Sequence, residues 1–322
     1  MIDLWEEAPQ TAGLGVHVYS FGIYCALGSL AAATAVLILS RASGRKKGTG
    51  LLLATLSIFF GLAGARLFYC LLNHPGNGTM PFSEWFHLST GGFSLFGMIL
   101  GAFFAAWVCA LLTGEKKTAL LDITASALPL AIAAERFGER LFEGFDTSRS
   151  VMGTFPAGTF LAVEDAFYGT SALATWLVSA ISAVALFLIL TFRLLRVNRE
   201  DGDQWIIFLL LCGAGGVVLE SLRYDYHLEY SFVYLQQVIA AILLVWGVIL
   251  AGRRGKRRRQ FAAAIITLII AVAVAGGVEF ALDRLDINHI LLYLIMAASL
   301  AVPVTLGLIL LQRKGLKGTE RI

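Results

Sequence analysis

Three clusters of ionisable residues lie inside or at the ends of apolar segments, where charge is costly and by default a sign of function. Arg66 sits in Gly64-Ala65-Arg66-Leu67-Phe68-Tyr69, late in the second apolar segment. Glu135-Arg136-Phe137-Gly138-Glu139-Arg140-Leu141-Phe142-Glu143-Gly144 ends the fourth, and Glu220-Ser221-Leu222-Arg223-Tyr224 ends the sixth. At helical spacing Arg136, Glu139, Arg140 and Glu143 share one face, and Glu220 and Arg223 are neighbours at i, i+3. Guanidinium binds phosphate bidentately and stays charged when partly buried. Arginines converging from three helices would therefore clamp one phosphate. The competing reading is a ladder of ion pairs closing helix ends at headgroup level, with Arg66 reaching outward on its own.

The elements that must position these residues are membrane spans. The chain has 322 residues, 58% hydrophobic and 15% charged, against roughly 25% charged in average soluble domains. A span needs about 20 mostly apolar residues. Nine such runs are predicted, at about 17–39, 50–72, 93–113, 118–137, 171–192, 204–222, 232–251, 260–281 and 289–311. Their connections alternate in charge. Of the 25 Lys and Arg residues, only Arg66, Arg136, Arg140, Arg149, Arg223 and Arg284 fall on one side. The other 19, including all seven lysines, fall on the opposite side, which the positive-inside rule assigns to the cytoplasm. The expected fold is all-α and polytopic, with the N-terminus outside and the C-terminus cytoplasmic. All three clusters then lie near the outer interface. The connection 138–170 is the longest on that side and is expected to form a small cap. The basic run at 253–259 divides a seven-helix membrane domain, 1–252, from an addition of two further helices and a cytoplasmic tail, 253–322. Stop-transfer and anionic-lipid contact account for that run.

Several features carry less chemistry. The acidic start, Met1 to Glu7, has no basic n-region, so no cleaved signal peptide is expected. Cys25, Cys70, Cys109 and Cys212 have no metal or redox spacing and read as small buried hydrophobes. No metal, no soluble cofactor and no nucleic-acid role is expected, because the basic runs are all juxtamembrane. Gly91-Gly92-Phe93-Ser94-Leu95-Phe96-Gly97-Met98-Ile99-Leu100-Gly101 opens the third span. Its small residues allow close helix approach or leave room for a lipid chain. Asp122, near the cytoplasmic end of the fourth span, reads as a cap of that end. Glu279, Asp283 and Asp286 read as a solvated turn.

In order and spacing these pieces resemble the prolipoprotein diacylglyceryl transferase family over roughly residues 17–251. Tyr19-Ser20-Phe21-Gly22-Ile23-Tyr24-Cys25-Ala26-Leu27-Gly28 is similar to the family's first-helix Tyr-Gly-x-x-Tyr-x-x-Gly stretch. Gly64 to Tyr69 is similar to its second-helix arginine motif, and Gly91 to Gly101 follows its Gly-Gly-x-Ser-x-His-Gly-Gly pattern. Asp122, Pro129 and Arg136-Phe137-Gly138 follow the signature that ends in Arg-x-Gly-Asn. Glu220-Ser221-Leu222-Arg223 follows its Glu-Phe-Phe-Arg, and Gln237 matches the glutamine of its seventh helix. The chain also departs from the pattern. Phe96 stands where the family has histidine, and Phe21 replaces a tyrosine. Glu139 and Phe142 replace asparagines, and Gly216 replaces an arginine. Ala166-Phe167-Tyr168 is what remains of a His-Pro-x-Gln-Leu-Tyr stretch. Residues 260–322 have no counterpart in the seven-helix form.

The resemblance implies transfer of diacylglycerol from phosphatidylglycerol, or another anionic phospholipid, to the lipobox cysteine thiol of a prolipoprotein in a bacterial plasma membrane. The partners it implies are that lipid and the prolipoprotein signal-peptide region. Arg136 is the candidate for the phosphate, supported by Arg66 and Arg223, with Gly92, Ser94, Gly97 and Gln237 as further substrate-binding candidates. Glu220 would orient an arginine or accept a proton, and Glu139 is a substitute base in place of the missing histidine. Both glutamates read equally as structural partners of Arg136 and Arg223. Two other readings stay open. One is a diverged member that binds phospholipid or lipoprotein without this reaction. The other is a transporter or flippase, against which stands the lack of repeats and of paired broken helices at the midplane.

Overall fold

The computed structural model describes residues 20–72, 82–86, 92–139, 155–165, 170–196, 200–223, 229–230, 233–255, 257–285 and 287–312. Among them are nine helices, each long and apolar enough to cross a membrane. They are α1 (Ser20–Ala42), α2 (Thr49–Leu72), α3 (Leu95–Thr113), α4 (Lys117–Gly138), α5 (Thr175–Arg196), α6 (Asp203–Leu222), α7 (Leu235–Gly255), α8 (Arg258–Arg284) and α9 (His289–Leu311). The chain is a polytopic all-α membrane protein, as the apolar runs predict.

The fifth span starts later than expected. Residues 171–173 belong not to the helix but to β2 (Thr170–Leu173), which pairs antiparallel with β1 (Ala162–Asp165), Ala162 opposite Leu173 and Asp165 opposite Thr170. This hairpin lies partly within the connection 138–170 and partly just beyond it. The backbone bond from Ala174 N to Leu161 O hands the chain on to α5.

Contacts divide the chain into two compact units. One comprises the described parts of Met1–Trp205 and Leu222–Tyr230, the other Ile206–Ser221 and the described parts of Ser231–Ile322. In the first, α1, α2, α3 and α4 share a core of Ala35, Val36, Leu39, Leu53, Ala54, Ala106, Cys109, Ala110, Leu120, Ile123 and Ala127. Alanine dominates this core for a physical reason. Lipid tails are as apolar as leucine, so helices associate in a membrane through close packing of small residues. The tightest approach joins α2 and α3. A Cβ on Gly97 would strike the Gly64 carbonyl, and one on Gly101 would strike the Phe60 carbonyl. At the basic end, Glu115 ties two turns together. It accepts from the Lys46 amide at 3.0 Å and faces the Arg45 guanidinium at 3.4 Å. The amide bond, aided by the Arg45 charge, holds its carboxyl below the usual carboxylate range.

In the second unit, α6 packs on α7 and α9 through glycine as well. Gly213 meets the Leu244 backbone, and Gly247 and Gly307 both meet Leu210. Across the described helices many large apolar side chains remain exposed, among them Phe59, Leu112, Leu188, Ile269 and Leu294. A soluble monomer rarely exposes so much; in these helices it is the lipid-facing surface.

Asp122, expected to cap its own helix end, instead caps the start of α6. It is fully buried, and its carboxylate accepts from Gly202 N at 2.7 Å and Trp205 N at 3.0 Å. These are orphan donors at the start of α6, where the helix dipole favours an anion. Its partners lie 80 residues or more away in sequence, which is why a local reading places the cap on α4. Asp122→Ala should remove the acceptor of two amides, the Gly202 one buried and the Trp205 one partly so, and cost about 3 kcal/mol. Thermal unfolding of the purified variant checks this; an unchanged midpoint would refute the role.

Candidate functional site

Arg136 is the last basic residue of α4, and Arg223 follows α6 in extended backbone (φ −79°, ψ 141°). Their side chains meet on one carboxylate. Glu139 Oε1 accepts from Arg136 Nη1 at 2.9 Å and from Arg223 Nη2 at 2.9 Å. Glu135 stands 3.5 Å from Arg136 Nε. Arg136, Glu139 and Arg223 are 4%, 7% and 9% exposed. Two guanidinium groups buried this closely need an anion between them, and here the protein provides it. The helical end that carries them is braced by rings. Phe137 packs between Tyr24 (5.7 Å between centroids) and Trp176 (5.4 Å), and Gly138 lies where a Cβ would press on Tyr24 and Phe21. The α1 motif residues thus position the α4 arginine.

Arg66 is turned to other work. It is 4% exposed and donates from Nε to the Trp85 carbonyl and from Nη1 to the Gly92 carbonyl, each at 3.1 Å. Its guanidinium also lies 5.8 Å from the Tyr69 ring centre. These bonds hold the 3-10 turn Phe82–Phe86 and the approach to α3 against α2. Arg66 is therefore buried on these partners and does not reach outward. Gly92 has φ 76°, a left-handed backbone natural to glycine, and a side chain there would enter the Tyr69 ring. Ser94 caps α3: its Oγ accepts from Gly97 N at 3.4 Å, and its own N donates to Ala65 O at 2.9 Å. The space beside Gly97 is filled by Gly64 and Phe68 of α2. Of the two readings of the glycine stretch, helix approach is the one this geometry supports. Phe96 is buried.

In the second unit, Glu220 lies in the last turn of α6, 4% exposed. Gln237, in the first turn of α7, donates from Nε2 to Val217 O at 3.0 Å and to Glu279 Oε1 at 2.9 Å, while its Oε1 accepts from Tyr234 N at 3.1 Å. Both protons of its amide are thus engaged by the protein. Glu279 corrects the expectation of a solvated turn. Asp283 is solvated and pairs with Arg284, but Glu279 is 2% exposed and bonded to Gln237 and Ser221. The available signal was its place one turn inside a strongly apolar helix. Arg140, Glu143, Arg149, Asp286 and 166–168 lie outside the described residues. Among the described residues, no group of His, Cys, Asp and Glu could hold a metal ion.

The shared carboxylate has a measurable consequence. Glu139→Gln leaves Arg136 and Arg223 facing one another with a neutral amide between them. The variant should melt below wild type. A thermal-unfolding midpoint in detergent decides this; an unchanged midpoint would contradict it.

A bundle of apolar helices, nine of them among the described residues long enough to cross a membrane, defines a multi-pass membrane protein. The sequence profile described as prolipoprotein diacylglyceryl transferase matches residues 9–253, and the chain belongs to that family. A relative from Fervidobacterium nodosum is 28% identical over 214 residues, 62% of this chain and 70% of its own. One from Bacillus velezensis is 26% identical over 250 residues, 75% of this chain and 89% of its own. Both are named phosphatidylglycerol–prolipoprotein diacylglyceryl transferase, and a Clostridium perfringens protein named the second such transferase is 25% identical over 241 residues, 73% of this chain and 91% of its own.

Proposed function

We propose that this chain transfers the diacylglyceryl group of phosphatidylglycerol to the lipobox cysteine thiol of a prolipoprotein, in a bacterial plasma membrane and at its outer leaflet. The observation that carries the reading is the buried pair Arg136 and Arg223 on one carboxylate, in a chain whose relatives bear the name of this transferase. In the reaction the cysteine sulfur attacks the glyceryl carbon that bears the phosphate. A C–S bond forms, the C–O bond breaks, and glycerol phosphate leaves with the electron pair. Preorganised donors lower the barrier by stabilising that charge, which is the role of Arg136 with Arg223. The thiol, with a pKa of about 8.5, must lose its proton. Glu220 takes it or orients an arginine, and Glu139 takes it once phosphate has replaced it on the guanidinium groups. Arg66 acts by holding the loop before α3. The same proposal puts the N-terminus outside and divides the chain at residue 253, where the family match also ends.

A second reading, lipid or lipoprotein binding without transfer, is favoured by one observation: Phe96, apolar and buried, stands where the family has histidine. Purified protein given labelled phosphatidylglycerol and a lipobox peptide separates the two. Transfer expects labelled peptide; the binding reading expects retained lipid and no product.

A further inference from the structure

Four helices meet at a buried polar node that the family pattern does not contain, because half of it comes from α8 and α9. Glu279 of α8 accepts from Ser221 Oγ and from Gln237 Nε2, the latter at 2.9 Å. Tyr293 of α9 donates its hydroxyl to the Ser221 carbonyl at 3.2 Å. Ser221, Glu279 and Tyr293 are 0%, 2% and 7% exposed. The Ser221 carbonyl belongs to the last turn of α6, whose carbonyls have no partner within the helix. Tyr293 therefore supplies what a C-terminal cap would. That turn is held at two points, side chain and backbone, from two different helices. It contains Glu220, and Arg223 follows it directly along the chain.

An ionisable residue this deep in an apolar helix is costly. A leucine would pack there at no such cost but could not accept from Ser221 and Gln237. We propose that Glu279 is a positioning residue: with Tyr293 it grips the last turn of α6 and so aims Glu220, making the α8–α9 pair part of the working transferase. This rests on the transfer reading given above. Catalytic groups need support of this kind, since a misplacement of about 1 Å can cost about a hundredfold in rate.

The test uses the full chain in detergent or nanodiscs, with Glu279→Ala, Glu279→Gln, Tyr293→Phe and, as a control on the same helix, the exposed Asp283→Asn. Glutamine keeps the shape and an acceptor oxygen. Turnover per folded molecule should fall about 10- to 100-fold in Glu279→Ala, with KM for phosphatidylglycerol within about twofold of wild type. Tyr293→Phe should fall less, Glu279→Gln should recover most of the rate, and Asp283→Asn should match wild type. Amide hydrogen exchange at 217–223 provides a readout that needs no turnover, and it should speed up in Glu279→Ala and Tyr293→Phe. Lower stability with unchanged turnover per folded molecule would make Glu279 a packing residue only and overturn the proposal. So would unchanged exchange at 217–223 in a folded Glu279→Ala. Absence of turnover in wild type overturns the transfer reading and the aiming role with it, while the exchange data still decide whether the grip exists.

Discussion

Arg136→Ala should lower phosphatidylglycerol-dependent transfer by at least about a hundredfold, and toward a thousandfold, the range for loss of one preorganised donor. The leaving group of the proposed reaction is a phosphate, and its charge develops as the C–O bond breaks. Arg136 is 4% exposed, so water cannot replace the lost guanidinium. Its loss also releases Glu139 from one of its partners and leaves that carboxylate on Arg223 at 2.9 Å. The site would then present one cation already paired to a protein anion. Arg136→Lys should recover little, because a point charge does not reproduce the planar fork that spans two acceptors. Initial rates on wild type and both variants, normalised to folded protein, check this. Wild-type rates in Arg136→Ala would remove the residue from the mechanism.

Gly97→Val should prevent stable assembly of the α2–α3 pair, at about 3 kcal/mol or more. A Cβ at 97 meets backbone, the Gly64 carbonyl, as well as the Phe68 side chain. Backbone cannot swing away as a flexible side chain can, so the helices must separate. Separation would also move the Arg66 bonds to Trp85 and Gly92, which depend on α2 and the start of α3 staying in register. Gly97→Ala should show the same effect in smaller measure. Protease sensitivity and thermal unfolding of the purified variants measure it; a variant as stable as wild type would show that the helices tolerate a wider spacing.

Much of this architecture was legible in the residues because bilayer thickness fixes helix length. All nine apolar runs became helices, with boundaries shifted by a few residues. The larger discrepancy, at 171–174, arose because four-residue strands beside a span look like its continuation when only hydropathy is read. Within the site, the Arg136–Glu139 pair followed from i, i+3 spacing, since both sit on one turn. The Arg223 bond to the same carboxylate could not, because it depends on where α6 ends in space. The same limit hid the partners of Asp122 and Glu279. An acidic residue near a helix end looks solvated from local sequence, and whether it is buried depends on which helices pack over it. Glu279 and Asp283 lie one turn apart, yet the first is enclosed by α6, α7 and α9 and the second is exposed. Arg66 shows the converse: its motif was visible, but its work on two backbone carbonyls depends on a turn nearly twenty residues downstream.

In the proposed mechanism the arginine pair serves transfer of a diacylglyceryl group from a phospholipid to a thiol. The most direct measurement gives purified full-length protein phosphatidylglycerol labelled in its acyl chains, together with a lipobox-cysteine peptide. Label on the peptide should be tracked beside release of glycerol phosphate. Labelled peptide and glycerol phosphate are expected in equal amounts from wild type, with both all but lost in Arg136→Ala. Unlabelled peptide from wild type, while a proven family enzyme works in parallel, would rule the transfer mechanism out.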